Sequence, residues 1–458
     1  MHQPTWHSPP SARALPAARA LRTTALLTAT LLASLPTWTC QRALPEGPHA
    51  GTAAAADPAR RAPRGGDSAQ PAAEPVTEPA TEPATEPSRT PSLAPPAASS
   101  ATAALEDVLG DGFDEGLDPS GRPPWTLRLE ERLAAIDARL PGELGVYVKR
   151  LQDGTTLRWE SDQRWYLAST VKIPVAIAVL EKVDAGELSL EQRLELRETD
   201  FVDGAGDLKT RSPGEDFTIA ELLERSIVDS DSIATDMLIR HLGVERLNAR
   251  VQRWTSSGFG PLTTLQQVRY DVYGVLDPGV ATLPGRTFLL VRAAGNGEQR
   301  LAALAAALGL PRARLGVDNL EGLFERYYAS GSNTASLDAF GALLEDLARG
   351  ALLTRASTER LLDHMQHITT GTRRIQAGLP AHVPFAQKTG TQISRACNVG
   401  LLYPAEEARQ VVVAACTARH GPVERAEEAF QALGRALAET VLAETTGGAL
   451  DSAHGAPP

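Results

Sequence analysis

The run from Ile173 to Leu180 constrains this chain more than any other stretch. It is apolar without a break and far too short to cross a membrane, so it is predicted to be a helix buried inside a folded domain. At the mouth of that helix stands Ser169-Thr170-Val171-Lys172. Residues three apart share a helix face, so the Lys172 amine can reach the Ser169 hydroxyl, in the positive field of the helix's free N–H groups. The pair is a nucleophile with a candidate base. A four-residue pattern of this kind recurs by chance, and its weight depends on the rest of the chain.

Lysine usage adds weight. Of 45 Lys and Arg, only Lys149, Lys172, Lys182, Lys209 and Lys388 are lysines, so arginine fills nearly every position where a positive charge suffices. A general base must shed its proton, which a buried lysine does and an arginine does not. Lys149 and Lys182 are read as remaining by drift. The net charge is −11, with no basic stripe carrying interleaved aromatics, which excludes nucleic acid as a partner. Three cysteines with no Cys-x-x-Cys pair make neither a disulfide scaffold nor a zinc site. His364 and His367 have helical spacing but no Glu beside the first, so they read as a solvated face, and no metal or cofactor is expected.

Along the chain, residues 1–40 resemble an export signal: Arg13, Arg19 and Arg22 precede the apolar run from Ala25 to Ala33. Cys40 stands where a lipoprotein cysteine would, giving a lipid tether, although Thr37-Trp38-Thr39 is a poor match to the cleavage signal. From 41 to 120 the composition is first Ala, Pro, Thr, Ser and Glu, with Thr-Glu-Pro at 77–79, 81–83 and 85–87, and a disordered linker is predicted. The folded domain is placed at 121–445 and a disordered tail at 446–458.

Within the domain, Leu129, Leu133, Ile136 and Leu140 share one helix face, stopped by Pro141-Gly142. Strands at about 145–151 and 155–160 flank Asp153-Gly154, a two-residue hairpin turn. Thr218 and Glu221 form a capping box for a helix through Ile227, and Asp229-Ser230-Asp231-Ser232 precedes another helix. Residues 253–316 have mixed character. Ser336 opens a helix through Ala348, and strands are predicted at about 383–391, 396–403 and 410–416 before a closing helix at about 424–443. With the last turn centred between Glu406 and Glu407, Cys397 and Cys416 fall opposite each other, either bridged or as two buried thiols.

Three motifs now stand in order: Ser169-x-x-Lys172, Ser230-Asp231-Ser232 and Lys388-Thr389-Gly390. Together they resemble the serine β-lactamase and penicillin-binding protein superfamily, closest to class A β-lactamases. The resemblance implies an α/β (α+β) fold with an antiparallel sheet of about five strands, terminal helices and an all-helical lobe, acting as a monomer. It implies Ser169 as the acylated nucleophile, Lys172 as its base aided by burial and by Lys388, and Ser230 as the proton donor to the leaving nitrogen. Ser232, Lys388, Thr389 and Gly390 would bind substrate, and the backbone N–H groups of Ser169 and Thr391 would form the oxyanion hole, each worth roughly 3 kcal/mol of barrier. Arg395 is an added carboxylate contact. The substrate would be a β-lactam, opened as by a β-lactamase, or a peptidoglycan peptide, cleaved as by a D,D-peptidase or esterase; a non-catalytic peptidoglycan-binding module is the third reading.

Three departures stand out. Ser232 replaces the usual asparagine. The interval from Ser230 to Lys388 is longer than usual by roughly fifty residues, which places an insertion at about 253–316. The deacylating glutamate, counted back from Asn333-Thr334, falls on Glu321, with Glu325 the runner-up.

Overall fold

Alternation of side chains about five antiparallel strands organises the domain. The structure, a computed structural model, describes residues 121–447. The segments read as export signal with Cys40 (1–40) and as linker (41–120) lie outside the described residues, as does 448–458. The strands in chain order are β1 (Glu143–Arg150), β2 (Thr156–Trp159), β3 (Arg164–Tyr166), β4 (Arg193–Glu195), β5 (Asp216–Thr218), β6 (Thr334–Ser336), β7 (Phe385–Gln392), β8 (Arg395–Leu402) and β9 (Val411–Ala418). The main sheet has the order β2-β1-β9-β8-β7, all neighbours antiparallel, while β3–β6 and β4–β5 form two small ribbons.

Both faces of this sheet are covered. Val411, Val413 and Ala415 point to one side, against Trp125, Leu129 and Leu133 of helix Pro124–Asp137 and Phe430, Leu433 and Leu437 of helix Val423–Gly447. Val412, Ala414 and Cys416 point to the other, where helix Lys172–Asp184 and the helical lobe pack. Burying a side chain such as Phe430 contributes roughly 1.5–3 kcal/mol, so apolar burial is the main hold on the terminal helices, which an Arg132–Glu439 ion pair (3.0 Å) also links. The first helix stops at Asp137, short of Leu140, which is buried from the turn that follows. The capping box at Thr218 and Glu221 forms, with the Glu221 amide donating to the Thr218 hydroxyl at 3.1 Å.

The excursion in mid-chain differs from the expected one. Its ends meet where the Asn333 amide donates to Pro261 O (2.8 Å) and the Thr263 amide to Asn333 Oδ1 (3.0 Å). Residues 264–332 thus leave and return at one point, rather than 253–316. They form helices Leu265–Gly274, Gly285–Ala293, Gly297–Ala307 and Leu320–Tyr328. Their apolar faces make a separate small core, with Val272, Phe288, Leu304 and Phe324, that reaches Tyr166 and Ala168 beside the nucleophile.

Cys397 and Cys416 are register partners on β8 and β9 and form a disulfide, with S–S 2.00 Å. The bridge closes a loop of sequence separation 19, and reducing it should cost on the order of 3 kcal/mol of stability. Alkylation of denatured, unreduced protein followed by peptide mapping should find both cysteines protected; free thiols at the two positions would contradict the bridge.

Candidate active site

Ser169 lies in a short 3₁₀ turn, Ala168–Val171, that leads into helix Lys172–Asp184. The residue before it, Ala168, has φ 47°, a left-handed conformation that costs a side-chain-bearing residue of order 1–3 kcal/mol. Packing maintains it: Ala168 is buried against the core of the 264–332 excursion. Ser230 repeats the feature with φ 56°, in the turn before helix Ser232–Leu242. Asp231 is the N-cap of that helix, accepting from the Ala234 amide (2.8 Å), and its other oxygen accepts from the Leu208 amide (2.9 Å). The same carboxylate therefore caps a helix and anchors loop 203–208, which forms one lip of the site. Ser232 closes against that lip, its amide donating to Ala205 O at 3.2 Å. Its hydroxyl fills the place where a side chain on Gly204 would stand, 2.1 Å from an added Cβ.

Lys172 is fully buried, and its Nζ donates to Ser230 O (2.5 Å) and lies 3.2 Å from Ser230 Oγ. The hydrogen-bonded partner of the amine is thus Ser230 rather than Ser169. Burial pushes the amine down to about 8, against the opposing pull of Asp231 and Asp236. Lys388 is equally buried, and burial, then Lys172 and Arg374, hold its amine well below the ordinary lysine value. Burial is the leading cause for both amines, and the repulsion between the two, being mutual, disfavours having both protonated at once. Asp236, buried on helix Ser232–Leu242, accepts from the Leu265 and Gln266 amides (2.7 and 2.8 Å). It thereby seats the first helix of the excursion on the site, and burial raises its carboxyl to about 7.

Strand β7 brings in the third motif. A Cβ on Gly390 would lie 2.4 Å from Leu167 O and 3.1 Å from Ser169 N, so only glycine lets the strand touch the nucleophile's turn. Thr389 Oγ1 pairs with Thr370 Oγ1 at 2.8 Å. The buried Arg374 guanidinium donates to Gly390 O and Cys397 O (both 2.8 Å) and to Thr391 Oγ1 (2.5 Å), holding the strand in place from behind. Neither Thr370 nor Arg374 was marked by the sequence pattern, because both come from a loop whose partners are set only by the fold.

Ser169, Ser230, Ser232, Thr389 and Thr391 line one cleft of about 160 Å³, with Thr370, Leu265, Val268, Arg269, Arg292 and Gln392 on the remaining walls. Lys172 and Lys388 sit behind this surface. A larger groove between the terminal helices, lined by Arg132, Arg425 and Arg435 among others, holds no serine or lysine and is remote from these motifs.

Two expected site residues lie elsewhere. Glu321 is exposed at the start of helix Leu320–Tyr328 and accepts from the Ser394 hydroxyl, bracing the β7–β8 turn. It does not line the cleft, and neither does its runner-up: Glu325 pairs with Arg395 at 2.7 Å. Arg395 is held by that ion pair and lies 4.4 Å over the Tyr328 ring, so it is not presented to a substrate. Counting back from Asn333 assumed a continuous loop, whereas Asn333 is the return point of a long excursion. Among the described residues lining the cleft no carboxylate is present, and the charged ones are Arg269 and Arg292.

The fold and these motifs define a serine hydrolase of the β-lactamase and penicillin-binding type, a mixed α/β protein. The chain belongs to the beta-lactamase enzyme family, whose model matches residues 128–272 and 287–441. The unmatched stretch falls inside the 264–332 excursion. Beta-lactamase Toho-1 of Escherichia coli is 24% identical over 67% of this chain and 87% of its own length. Beta-lactamase VEB-1 of Pseudomonas aeruginosa is 25% identical over 58% and 71%, respectively. A beta-lactamase of Rhodobacter capsulatus is 36% identical, but the match spans 25% of this chain and 39% of that enzyme. Among solved structures, PBP-A superposes with a TM-score of 0.53 at 23% identity, over 71% of this chain and 98% of its own. An ancestral class A β-lactamase gives 0.51 at 24% identity, over 68% and 99%.

Substituting Gly390→Ala forces the added methyl into Leu167 O and the backbone of Ser169. Reaction of the variant with benzylpenicillin, followed by intact mass, should slow at least 100-fold, and because the atoms met are backbone the thermal midpoint should fall as well.

Proposed function

We propose that the protein is an exported serine hydrolase that opens β-lactam rings through an acyl-enzyme on Ser169. The observation that carries the reading is the convergence of Ser169, the Lys172–Ser230 pair and the Lys388–Thr389–Gly390 strand on one cleft. Ser169 Oγ attacks the lactam carbonyl carbon and gives its proton to neutral Lys172. The carbonyl oxygen takes the negative charge facing the Ser169 and Thr391 amides. Collapse of that adduct breaks the C–N bond, and the ring nitrogen receives a proton from Ser230 Oγ, which Lys172 replenishes across 3.2 Å. A neutral amine suits both transfers, since it keeps N–H groups for Ser230 and a lone pair for the nucleophile's proton. Lys388 and Thr389 bind the substrate carboxylate, whose charge draws the Lys388 amine back to its protonated form. The segment at 1–40 and the Pro-rich linker support placement in the periplasm or cell envelope.

One observation favours a second reading for the fate of the acyl group. The described cleft wall carries arginines and no carboxylate to activate water. A long-lived adduct of this kind suits a penicillin-binding D,D-peptidase or esterase, and a solved structure of a mutant of PBP-A is an acyl-enzyme complex with penicillin G. The intact serine and lysine argue against a binding module without chemistry.

A chromogenic cephalosporin with parallel intact-mass measurement separates these readings. Sustained colour supports a β-lactamase, a single stable adduct with one equivalent of colour supports the peptidase, and neither signal overturns acylation altogether. Ser169→Ala should abolish both colour and adduct.

The pH dependence of acylation is set by Lys172, which acts as a base only when neutral. Its pKa of about 8 makes the second-order acylation rate small near pH 6 and rising through pH 8 to a plateau. A stopped-flow profile flat from pH 6 to 9 would remove Lys172 from the base role.

A further inference from the structure

The part of the cleft wall contributed by the 264–332 excursion carries a charge arrangement that the chemistry above does not use. Asp203, buried at the start of loop 203–208, accepts from Arg269 Nε and lies 3.5 Å from an Arg292 terminal nitrogen. Arg269 comes from helix Leu265–Gly274 and is buried, and the Asp203 carboxylate holds it charged despite the burial. Arg292 comes from helix Gly285–Ala293, has about half of its side chain exposed (49%), and makes only the longer contact. Both arginines line the cleft, and every other lining residue is uncharged.

One carboxylate is therefore divided between two guanidiniums, which leaves a surplus positive charge on this wall. Asp203 is satisfied by Arg269, so the forked donors of Arg292 remain for a ligand. Guanidinium geometry favours a carboxylate, bound through two parallel N–H groups. The site described above already places one substrate carboxylate at Lys388 and Thr389. Arg292 stands on a different wall, contributed by the excursion at 264–332, beside Gly204, Ala205 and Arg269.

We propose that Arg292, oriented by the Asp203–Arg269 pair, forms a second anion subsite, and that the preferred substrates carry a further carboxylate on the acyl half of the molecule. The proposal rests on the acylation reading, in that the acyl half is defined by its attachment to Ser169. Its chemistry fits a penicillin with a carboxylate on its side chain, or a peptide with an acidic residue upstream of the bond cleaved.

Benzylpenicillin and its α-carboxy derivative differ by this one group. Their equilibrium affinities for full-length Ser169→Ala protein, which cannot be acylated, read the subsite directly by titration calorimetry. The carboxy derivative should bind at least five-fold tighter, with the preference shrinking as salt is raised from 20 to 500 mM. In Ser169→Ala/Arg292→Gln the ratio should fall to near one, and in Ser169→Ala/Arg292→Lys part of it should return. Equal affinities, tighter binding of benzylpenicillin, no binding of either compound, or a preference that survives Arg292→Gln each overturn the subsite. Intact mass of unmodified protein with benzylpenicillin separates this from the function itself: an adduct without a preference removes the subsite alone, and no adduct removes acylation as well.

Discussion

Two lysine amines taken wholly out of water are the constraint on which the site depends. An isolated buried ammonium costs several kcal/mol, and the cost is relieved either by acceptors or by losing the proton. Lys172 has both routes: Ser230 supplies oxygen acceptors, and burial lowers its pKa to about 8. Lys388 has less, a 3.3 Å contact to Thr389 O, with Lys172 and Arg374 raising its cost further. A substrate carboxylate at Lys388 would complete an unfinished electrostatic arrangement, so binding energy is available where the reaction needs orientation.

That burial requires three segments distant in sequence to meet without a gap. Helix Lys172–Asp184 supplies one amine, the turn at Ser230 caps it, and β7 presses Gly390 against Ser169. Left-handed backbone at Ala168 and Ser230 is retained at the two turns that carry hydroxyls into the cleft. Arg374 fixes β7 through three acceptors, two of them on the strand and one on its neighbour β8. The strain and the buried charges are supported by cores on either side: the sheet with its helices, and the small core of the excursion under Ala168.

What was legible in the sequence follows the range of the forces involved. Local patterns, such as the capping box at Thr218 and the hairpin arithmetic that paired Cys397 with Cys416, depend on neighbours a few residues away, and the structure shows both. Ser169, Ser230, Ser232, Thr389 and Thr391 were found because short motifs hold them, and they do meet in one cleft. The pairing of β1 with β9, which joins the two ends of the domain, has no local signature. Glu321 was misplaced for a related reason: it was counted back from Asn333 as though along a continuous loop, and such a count has no meaning inside a segment that leaves the fold at Thr263 and returns at Asn333. Arg395 lies beyond that segment, and its pairing with Glu325 has no local signature.

The excursion gives the site its individual character. A guanidinium attracts an anion but takes no proton, so a wall built from Arg269 and Arg292 can help to bind a substrate and cannot activate a water. Asp203 is the carboxylate paired with this wall, and its oxygens face Arg269 and Arg292. Recognition and hydrolysis thus draw on the same surface in opposite ways. Charge that would favour an acidic acyl group is charge unavailable for removing it, so under the proposed acyl-enzyme the lifetime of an adduct on Ser169 would be tied to the residues that select the substrate.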